Sequence, residues 1–442
     1  MSRPGASGPR AVGEDCALPE ESLKRAVRSR RGMALAIFDR LAEGSRGEPG
    51  IMRDTYGAGE NFAHKVFAEA AQAAGLEIVH DAAANTYATW PGLNRARPPV
   101  VMGSHLDSVP HGGNFDGAAG VVAGLVVIDT LRELGIQPSC DIVTMGVRAE
   151  ESVWFEVSYV GSRAALGTLP AGALENRRID TGRSLGSHIA ECGGDPNTLR
   201  RGERFLDPSG LQAFLEVHIE QAPSLVEAGY PIAICTGIPG NFRFPNVTVT
   251  GRHDHVGTPR RFRRDAAMAA VQFASELDAI WAEHEATAVP IAITFGRFHT
   301  DGAVHGMTTV PGAFHFSLDV RAYDEEVLAA IEARLPALIA RIEAERRVSF
   351  DLGRRASAAV GLVDPRIYDG LSEAASRLGI SAMPLGSPAS HDAAAFAAAG
   401  TPTAMVFVRN RNGSHNPDEQ MDLDDFLDAC AVLTEWVARN AV

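Results

Sequence analysis

Two short apolar segments that each end in a polar loop most constrain the fold of this chain. Residues 99–102 form an apolar run that stops at Gly103 and Ser104, residues 117–134 form an apolar helical pattern, and residues 141–147 form a second apolar run. This strand–loop–helix–strand alternation predicts neighbouring parallel strands in an α/β sheet. In such sheets ligands bind outside the carboxyl ends of the strands, where both polar loops are expected to lie.

Further segments extend this pattern towards both ends of the chain. Alternating or continuous apolar residues predict strands over residues 214–219 and 404–408. The GIPG string at residues 237–240 has the composition of a turn and predicts a linker. Apolar periodicity predicts helices over residues 21–42, 59–74, 365–378, 392–399 and 423–438.

A block after the GIPG string has a different order of elements. It predicts strands over residues 246–251, 290–298, 312–321 and 348–352, and helices over residues 265–285 and 324–344. This order is typical of a split β-α-β sandwich, inserted as a domain of about 110 residues. The predicted domains are a flexible tail at residues 1–20, a catalytic domain at 21–241 and 356–442, and an inserted domain at 242–355.

Composition excludes several classes of protein. The chain has 442 residues, 45% hydrophobic and 22% charged, which is typical of globular proteins. Its formal net charge of -14 argues against a nucleic-acid partner, because phosphate-binding surfaces are basic. No apolar run is long enough to predict a membrane span. An anionic substrate would need a local arginine or a metal ion to hold it.

Cysteine usage and the first residues indicate a compartment. The five cysteines are scattered and never form a CxxC pair, which argues against a disulfide scaffold and a thiolate zinc site. The first 20 residues lack the apolar region of a secretory signal. We therefore expect a reducing, cytoplasmic location. The cysteines are Cys16, Cys140, Cys192, Cys235 and Cys430.

Histidine and carboxylate side chains lie at or just after the predicted strands and in glycine-rich turns. Each is a weak signal alone, since a lone histidine is more often structural and adjacent glutamates usually face solvent. A glutamate pair directly after a buried strand is less usual, and this combination of ligand types suits divalent metals with one open position. The candidates are His105, Asp107, Asp116, Glu150, Glu151, His218 and His415.

The order of several short strings resembles a known family. GSHLDSVPHGGNFDGAAGVVAGL, an EE pair, LEVHIEQ, DHVGT, VPGAFHFSLDVR and SHNP follow one another from about residue 21 to the end. The chain resembles the M20-type metal-dependent amidohydrolases, and among them the N-carbamoyl-L-amino-acid hydrolase, β-ureidopropionase and allantoate amidohydrolase group. The resemblance implies a zinc-exopeptidase-like α/β catalytic domain with a mostly parallel sheet, interrupted by an α+β ferredoxin-like lid domain that dimerises.

The resemblance also implies two divalent metal ions per subunit, which could be Zn, Mn, Co or Ni. His105 and His218 match ligands of the first metal, and Asp116 matches the aspartate that bridges both metals. Glu151 and His415 match ligands of the second metal. A bridging carboxylate would set the two metals about 3.5–4 Å apart, the spacing used to activate one shared hydroxide.

Other residues match groups that act on the substrate. Glu150 matches the general base, and Asp107 matches the carboxylate that orients the imidazole of His105. Gln221 matches a residue that touches the substrate. His255 and Arg321 match lid groups that polarise the substrate carbonyl and bind its carboxylate, partly across a dimer. Asn241, and Arg243 close to it, lie near a substrate-binding segment.

The implied activity is hydrolysis of the C–N bond of an N-carbamoyl amino acid or related ureido acid by a metal-bridged hydroxide, releasing ammonia, carbon dioxide and the amino acid. Alternatives are an allantoate amidohydrolase, an M20-type dipeptidase or N-acyl-amino-acid deacylase, and a non-catalytic metal-binding paralogue. The expected partners are a small substrate bearing a carboxylate and a second copy of the chain, with neither nucleic acid nor membrane.

Some residues depart from the family pattern or have an ordinary structural explanation. Thr308 stands where the family usually has an asparagine that helps hold the substrate carboxylate, and Ala222 replaces a usual glycine after HIEQ. Arg148 could lower the pKa of Glu150 or point away from it. His255 could cap a turn, and Arg321 could be a surface charge. Three residues near the active loops are treated as structural, with His391 the first to reassign: His111, His391 and Asp392.

Overall fold

The computed structural model describes residues 20–441, which form two compact units. The first unit runs to Gly237 and resumes at Leu362, and the second is Ile238–Gly361. In the first unit the helices before the second unit are α1 (Glu20–Arg28), α2 (Arg31–Gly44), α3 (Ala58–Ala73), α4 (Ala118–Glu133), α5 (Val160–Ala165), α6 (Leu185–Glu191), α7 (Pro196–Arg200) and α8 (Ser224–Ala228). The strands there are β1 (Glu77–His80), β2 (Thr86–Trp90), β3 (Val100–His105), β4 (Ile142–Val147), β5 (Ala213–Ile219) and β6 (Ile232–Cys235).

The second unit and the return of the chain complete the elements. The second unit contains β7 (Gly240–Thr250), β8 (Asp254–His255), α9 (Ala266–Ala286), β9 (Ile291–Thr294), β10 (Phe298–Thr300), β11 (Thr309–Val310), β12 (Ala313–Ala322), α10 (Glu325–Arg346), β13 (Ser349–Asp351) and β14 (Ala356–Ala358). The first unit then adds α11 (Pro365–Arg377), β15 (Ala382–Leu385), α12 (Asp392–Ala398), β16 (Thr403–Val408), β17 (Asn410–Arg411), β18 (Gln420–Met421) and α13 (Leu423–Asn440).

An eight-stranded sheet forms the centre of the first unit, in the order β1-β2-β4-β3-β5-β16-β6-β15. The four middle strands, β4, β3, β5 and β16, are parallel, so their carboxyl ends meet at one edge. Helix α4 connects β3 to β4, as the alternation in the sequence predicts. The mostly parallel α/β sheet is therefore confirmed.

Both faces of the central strands are covered, because alternate side chains of β5 pack in opposite directions. Leu215 and Val217 belong to the main apolar core together with α4. Phe214 faces the other way and stacks on Phe396 of α12, with ring centroids 3.7 Å apart. By the same alternation Glu216 and His218 share the face of Phe214, and all seven residues of the strand are buried. A polar side chain on such a strand must find a buried partner.

The second unit is an antiparallel sheet with two helices. Four of its strands lie in the order β9-β12-β7-β13, and α9 and α10 pack against the sheet in one apolar core. Residues along β12 alternate between buried and partly exposed, so its inner face consists of Phe314, Phe316, Leu318 and Val320. This is the split β-α-β arrangement that the order of elements predicts.

The boundaries differ from the sequence-based ones in several places. The second unit begins four residues earlier and ends six residues later than the predicted 242–355, which moves Asn241 into it. Strand β7 is longer than predicted because Pro245, which lacks an N–H, lies at a register shift of the β7–β12 pair and does not end the strand. The predicted strand over residues 290–298 is two strands, β9 and β10.

Two more boundaries follow from tertiary contacts. The predicted helix over residues 21–42 is divided after Arg28, where Ser29 donates to the carbonyl oxygen of Ala26 and Arg30 reaches Asp129. Strand β3 continues through Gly103 and Ser104 to His105, because these residues pair with β4 in the middle of the sheet. The predicted tail falls outside the described residues except for residue 20, which begins α1.

The predictions about membrane spans and cysteine pairing can be compared with the described residues. No helix within residues 20–441 is long and apolar enough to cross a membrane. The four described cysteines, Cys140, Cys192, Cys235 and Cys430, are all unpaired thiols, and Cys16 lies outside the described range.

Candidate metal centre and active site

The predicted metal-binding residues converge at the carboxyl edge of the four parallel strands. Strand β3 ends at His105, β5 carries His218 one residue before its end, and the glutamate pair follows β4. His415 lies in the loop that follows β16 and β17. Residues far apart in the sequence meet here because parallel strands place their carboxyl ends side by side.

Asp116 lies at the centre of this cluster. Its Oδ1 is 3.3 Å from the Nε2 atoms of both His105 and His218. Its Oδ2 is 3.4 Å from the Nε2 of His415, which in turn is 3.3 Å from Oε1 of Glu151. The five side chains thus form two three-ligand groups that share Asp116, and within each group the ligand atoms lie within 4.8 Å of one another.

The two buried histidines turn the same ring nitrogen, Nε2, towards Asp116. Nδ1 of His105 lies 3.0 Å from the carbonyl oxygen of Asp107, and Nδ1 of His218 lies 2.9 Å from that of Ile219. A carbonyl oxygen only accepts, so each Nδ1 carries a proton, and Nε2 is the ring nitrogen that faces Asp116. Burial lowers the pKa of each histidine, but contacts with Asp107 and Asp116 at His105, and with Asp116 at His218, outweigh burial and raise both pKa values above the ordinary value. A buried carboxylate requires positive charge beside it, which protonated imidazoles supply in the metal-free protein and which a divalent cation would supply in their place.

Asp107 connects the first histidine to the glutamate pair. Its buried carboxylate accepts the backbone N–H groups of Glu150 and Glu151, at 3.0 and 3.2 Å, and the hydroxyl of Thr55 at 2.6 Å. Its Oδ1 also lies 3.3 Å from Nδ1 of His105. The side chain therefore orients a ligand and the turn that carries the candidate base.

A second set of contacts surrounds Oδ2 of Asp116. Gln221, the predicted substrate contact, donates to this oxygen at 2.7 Å, and Ser414 donates to it as well as to Glu419. Glu419 is buried and accepts the backbone N–H of Phe115 at 2.8 Å. Sequence reasoning missed Ser414, Glu419 and Thr55, although Ser414 stands directly before His415 in the SHNP string.

Several residues at the centre have left-handed backbone conformations. Ala149, Gln221 and His415 have φ angles of 57°, 68° and 59°. For residues other than glycine such a conformation costs about 1–3 kcal/mol and persists only where surrounding contacts impose it. Gly117 has φ 66°, and a Cβ there would lie 2.6 Å from the ring of His105, so this position requires glycine.

Glu150 is buried beside the predicted ligands, with 9% of its surface exposed. Burial raises its pKa well above the usual range, Glu151, Asp392 and Asp107 raise it further, and His105 opposes them. Arg148 does not reach Glu150, because its guanidinium donates to Glu60 at 3.0 Å and to the carbonyl oxygen of Ala84 at 2.8 Å. Of the two alternatives for Arg148, the one in which it points away is therefore correct.

The remaining predicted substrate groups belong to the second unit. His255 is exposed in β8, and its Nδ1 accepts the N–H of Gly257 at 3.1 Å, which is a turn-capping contact. Arg321 pairs with Asp319 at 2.9 Å on β12, opposite Asn241 of β7. Asn241 accepts the N–H of Ala358 at 3.2 Å.

The structure also shows where His111, His391 and Asp392 lie, the three residues that the sequence analysis treats as structural. His111 is exposed and contacts the carbonyl oxygen of Pro49 through Nδ1 at 3.0 Å. The ring of His391 is buried 4.3 Å from that of His218, with Nε2 2.9 Å from the hydroxyl of Ser387. Burial, and next Glu216, raise the pKa of Asp392 to about 8. His391 and Asp392 thus lie behind the cluster and support it.

The chain is similar to known proteins in both sequence and fold. The model of the family described as Peptidase family M20/M25/M40 matches residues 101–439. An N-carbamoyl-L-amino acid amidohydrolase of Geobacillus stearothermophilus is 34% identical over 90% of this chain and 95% of the relative. Allantoate amidohydrolase of Escherichia coli (strain K12) is 28% identical over 82% of this chain and 86% of the relative. The crystal structure of an amidase of the hydantoinase/carbamoylase family from Burkholderia multivorans has a TM-score of 0.80 and 29% identity, covering 93% of this chain and 98% of that one.

We expect Zn²⁺ binding to the metal-free protein to release protons at neutral pH. Asp116 and Glu151 raise the pKa of His415 to about 11, and a metal binds only the deprotonated imidazole. A raised pKa means that the proton is retained through neutral pH, so the apparent affinity should rise about tenfold per pH unit for each proton displaced. Calorimetric titration in two buffers of different ionisation enthalpy measures this proton count.

A matched pair of histidine variants serves as the control for that titration. His415→Ala should lower the proton count by about one, whereas His111→Ala, at an exposed histidine outside the cluster, should leave it unchanged. A count of zero for the unmodified protein at neutral pH would contradict the proposed protonation of His415.

Proposed function

The chain belongs to peptidase family M20/M25/M40, and we propose that it hydrolyses the C–N bond of an N-carbamoyl amino acid or related ureido acid. The products would be ammonia, carbon dioxide and the amino acid. The observation that carries the proposal is the pair of three-ligand groups sharing Asp116, with Glu150 buried beside them. A carbamoyl-hydrolysing relative of nearly the same length supports the ureido substrate.

Two divalent cations per subunit are proposed, held by His105, Asp116 and His218 and by Asp116, Glu151 and His415. When bound, such ions lower the pKa of a coordinated water towards neutrality and polarise a carbonyl oxygen. The nitrogen and carboxylate ligands suit Zn, Mn, Co or Ni.

Glu150 is proposed to be the general base and later the general acid. Its raised pKa makes its carboxylate a stronger proton acceptor than an ordinary glutamate, and the same group can then give the proton to the leaving nitrogen. Asp107 holds the N–H groups of Glu150 and Glu151 and so fixes the base relative to the ligands. Gln221, which donates to Asp116, is proposed to contact the substrate at the rim of the cluster.

The second unit, Ile238–Gly361, is proposed to act as the lid and the dimer contact. Arg321 would bind the substrate carboxylate, with Asn241 beside it on the neighbouring strand, and His255 would stabilise negative charge on the reacting carbonyl. A local arginine can hold an acid in a chain of net charge -14, because salt screens the wider field beyond about 8 Å. We further propose a homodimer in the cytoplasm, acting on small substrates and not on nucleic acid.

Allantoate is the second candidate substrate. The similarity to an allantoate amidohydrolase favours it, since allantoate carries ureido groups and a carboxylate. Thr308 is shorter than the asparagine expected at that position and offers one hydroxyl, so the two candidates differ in how the carboxylate would be held.

An assay of the metal-loaded protein on three ureido compounds should give ammonia from at least one. The compounds are N-carbamoyl-L-amino acids, N-carbamoyl-β-alanine and allantoate, with an N-acetyl amino acid and a dipeptide as comparisons. Turnover of only the last two would select a deacylase or dipeptidase. No ammonia from any ureido compound would refute the proposal.

Replacing the proposed base should abolish turnover without removing metal. Glu150→Gln should lower kcat by about 10²–10⁴-fold, because it removes proton transfer but keeps the size of the side chain. Metal content, measured by elemental analysis, should stay the same. Glu156→Gln, at an exposed glutamate of the following loop, is the control and should retain activity. Intact turnover in Glu150→Gln would mean that another group is the base.

Replacing the proposed carboxylate clamp should weaken substrate binding. Arg321→Ala should raise KM about tenfold or more while kcat changes little, since a charge-assisted hydrogen bond is made in both the ground and the transition state. Arg334→Ala, at a surface arginine of α10 that pairs with Glu283, is the matched control in the same unit. An unchanged KM in Arg321→Ala would argue against a carboxylate clamp.

A further inference from the structure

The turn of residues 148–151, which carries Glu150, has all four of its N–H groups bound by buried side chains. Arg148 donates its N–H to Oδ1 of Asn85 at 2.8 Å, and Ala149 donates to Oε1 of Glu60 at 2.8 Å. Glu150 and Glu151 donate to the two carboxylate oxygens of Asp107. Side chains from three separate segments therefore replace the backbone partners that a strand or helix would supply.

The carbonyl oxygens of the same turn are held by the start of α5. Residues Tyr159, Val160 and Gly161 donate their N–H groups to the carbonyl oxygens of residues 150, 149 and 148, at 3.0, 2.9 and 2.9 Å. The turn is thus fixed from both sides by hydrogen bonds, and no described residue between Arg148 and Glu150 keeps an unused backbone group.

This arrangement imposes an unfavourable conformation on Ala149. Its φ of 57° is left-handed, and Ala84 and Tyr56 nearby have φ angles of 61° and 47°. Between them, Glu60 and Arg148 form hydrogen bonds to all three of these residues. Glu60 accepts the N–H groups of Ala149 and Tyr56, and Arg148 donates to the carbonyl oxygen of Ala84.

Glu60 and Arg148 are themselves a buried ion pair. Glu60 is 0% exposed and Arg148 5% exposed, and Nη1 of Arg148 lies 3.0 Å from Oε2 of Glu60. Burial raises the pKa of Glu60 to about 7 and Arg148 lowers it, so the ionised carboxylate depends on the guanidinium. A buried ion pair often stabilises a fold no more than apolar residues of similar volume would. A role in fixing geometry is therefore the better explanation of this pair.

We propose that Glu60 and Arg148 are positioning residues for Glu150: they hold Ala149 in its left-handed conformation and thereby aim the base that follows it. This inference rests on the proposed function in one respect, that Glu150 is the base.

Single variants of Glu60 and Arg148 test the proposal through turnover, metal content and hydrogen exchange. In Glu60→Gln and Arg148→Met we expect kcat to fall about 10–100-fold, the loss typical of a base displaced by roughly 1 Å. KM and metal content should stay within about threefold, because no ligand or substrate contact is removed. Peptides covering residues 148–161 should exchange faster than in the unmodified protein. Arg148→Lys, which keeps a donor and the charge, should recover part of kcat.

The control is Arg377→Met, which breaks the ion pair between α11 and α13 at Glu435 in the same unit. It should lower thermal stability without changing kcat or the exchange of residues 148–161. If Arg377→Met lowered kcat as much as Arg148→Met does at equal loss of stability, the effect would be general destabilisation and the inference would be overturned.

Replacing Ala149 by glycine tests directly whether Glu60 acts by holding the left-handed conformation. Glycine adopts φ near 57° at no steric cost, so Ala149→Gly should make the turn less dependent on Glu60. We expect the loss of kcat caused by Glu60→Gln to be at least about threefold smaller in Ala149→Gly than in the unmodified chain. Equal losses in both backgrounds would overturn the inference.

Failure of the inference and failure of the proposed function give different results. If the unmodified protein turns over a ureido substrate but Glu60→Gln and Arg148→Met do so normally, only the inference is wrong. If the unmodified protein turns over none, the proposed function is wrong, and the exchange of residues 148–161 still decides whether the pair holds the turn: unchanged exchange in both variants overturns the inference.

Discussion

A buried carboxylate oxygen placed between two histidine rings is the constraint on which the rest of the site depends. Oδ1 of Asp116 lies 3.3 Å from Nε2 of both His105 and His218, and their Nδ1 protons are committed to carbonyl oxygens. A buried carboxylate needs positive charge beside it, from protonated imidazoles or from a bound cation, so the arrangement is stable only around positive charge. The sheet that brings these residues together thus determines the chemistry as well as the fold.

The sequence was sufficient to predict the groups that lie next to strand ends. His105, Glu150, Glu151 and His218 each adjoin a segment with a clear apolar pattern, and parallel strands leave one edge at which such residues can meet. Asp116 and His415 lie in glycine-rich loops with no periodicity of their own, so residue type marks them as candidates and the order of the motifs implies their roles. Local pattern and motif order therefore supplied different members of the same cluster.

What could not be predicted depends on contacts between distant segments. Thr55, Glu60 and Glu419 act through hydrogen bonds to residues more than forty positions away, and nothing beside them in the sequence marks this role. The direction of Arg148 was undecidable locally, because only the fold places Glu60 within its reach. The break after Arg28 and the extension of β3 to His105 likewise follow from tertiary packing, which overrides local propensity.

Backbone strain in this site is held in part by hydrogen bonds to buried side chains. Ala149, Gln221 and His415 have left-handed φ angles next to the proposed ligands and base. Two of these three residues are held by a buried partner: Ala149 by Glu60, and Gln221 by Asn410, whose Oδ1 accepts its N–H at 2.9 Å. The apolar core of the sheet and α4 offsets the cost of these conformations, of about 1–3 kcal/mol each. A site held by protein–protein hydrogen bonds is preorganised, so less of the binding energy of metal or substrate is needed to order it.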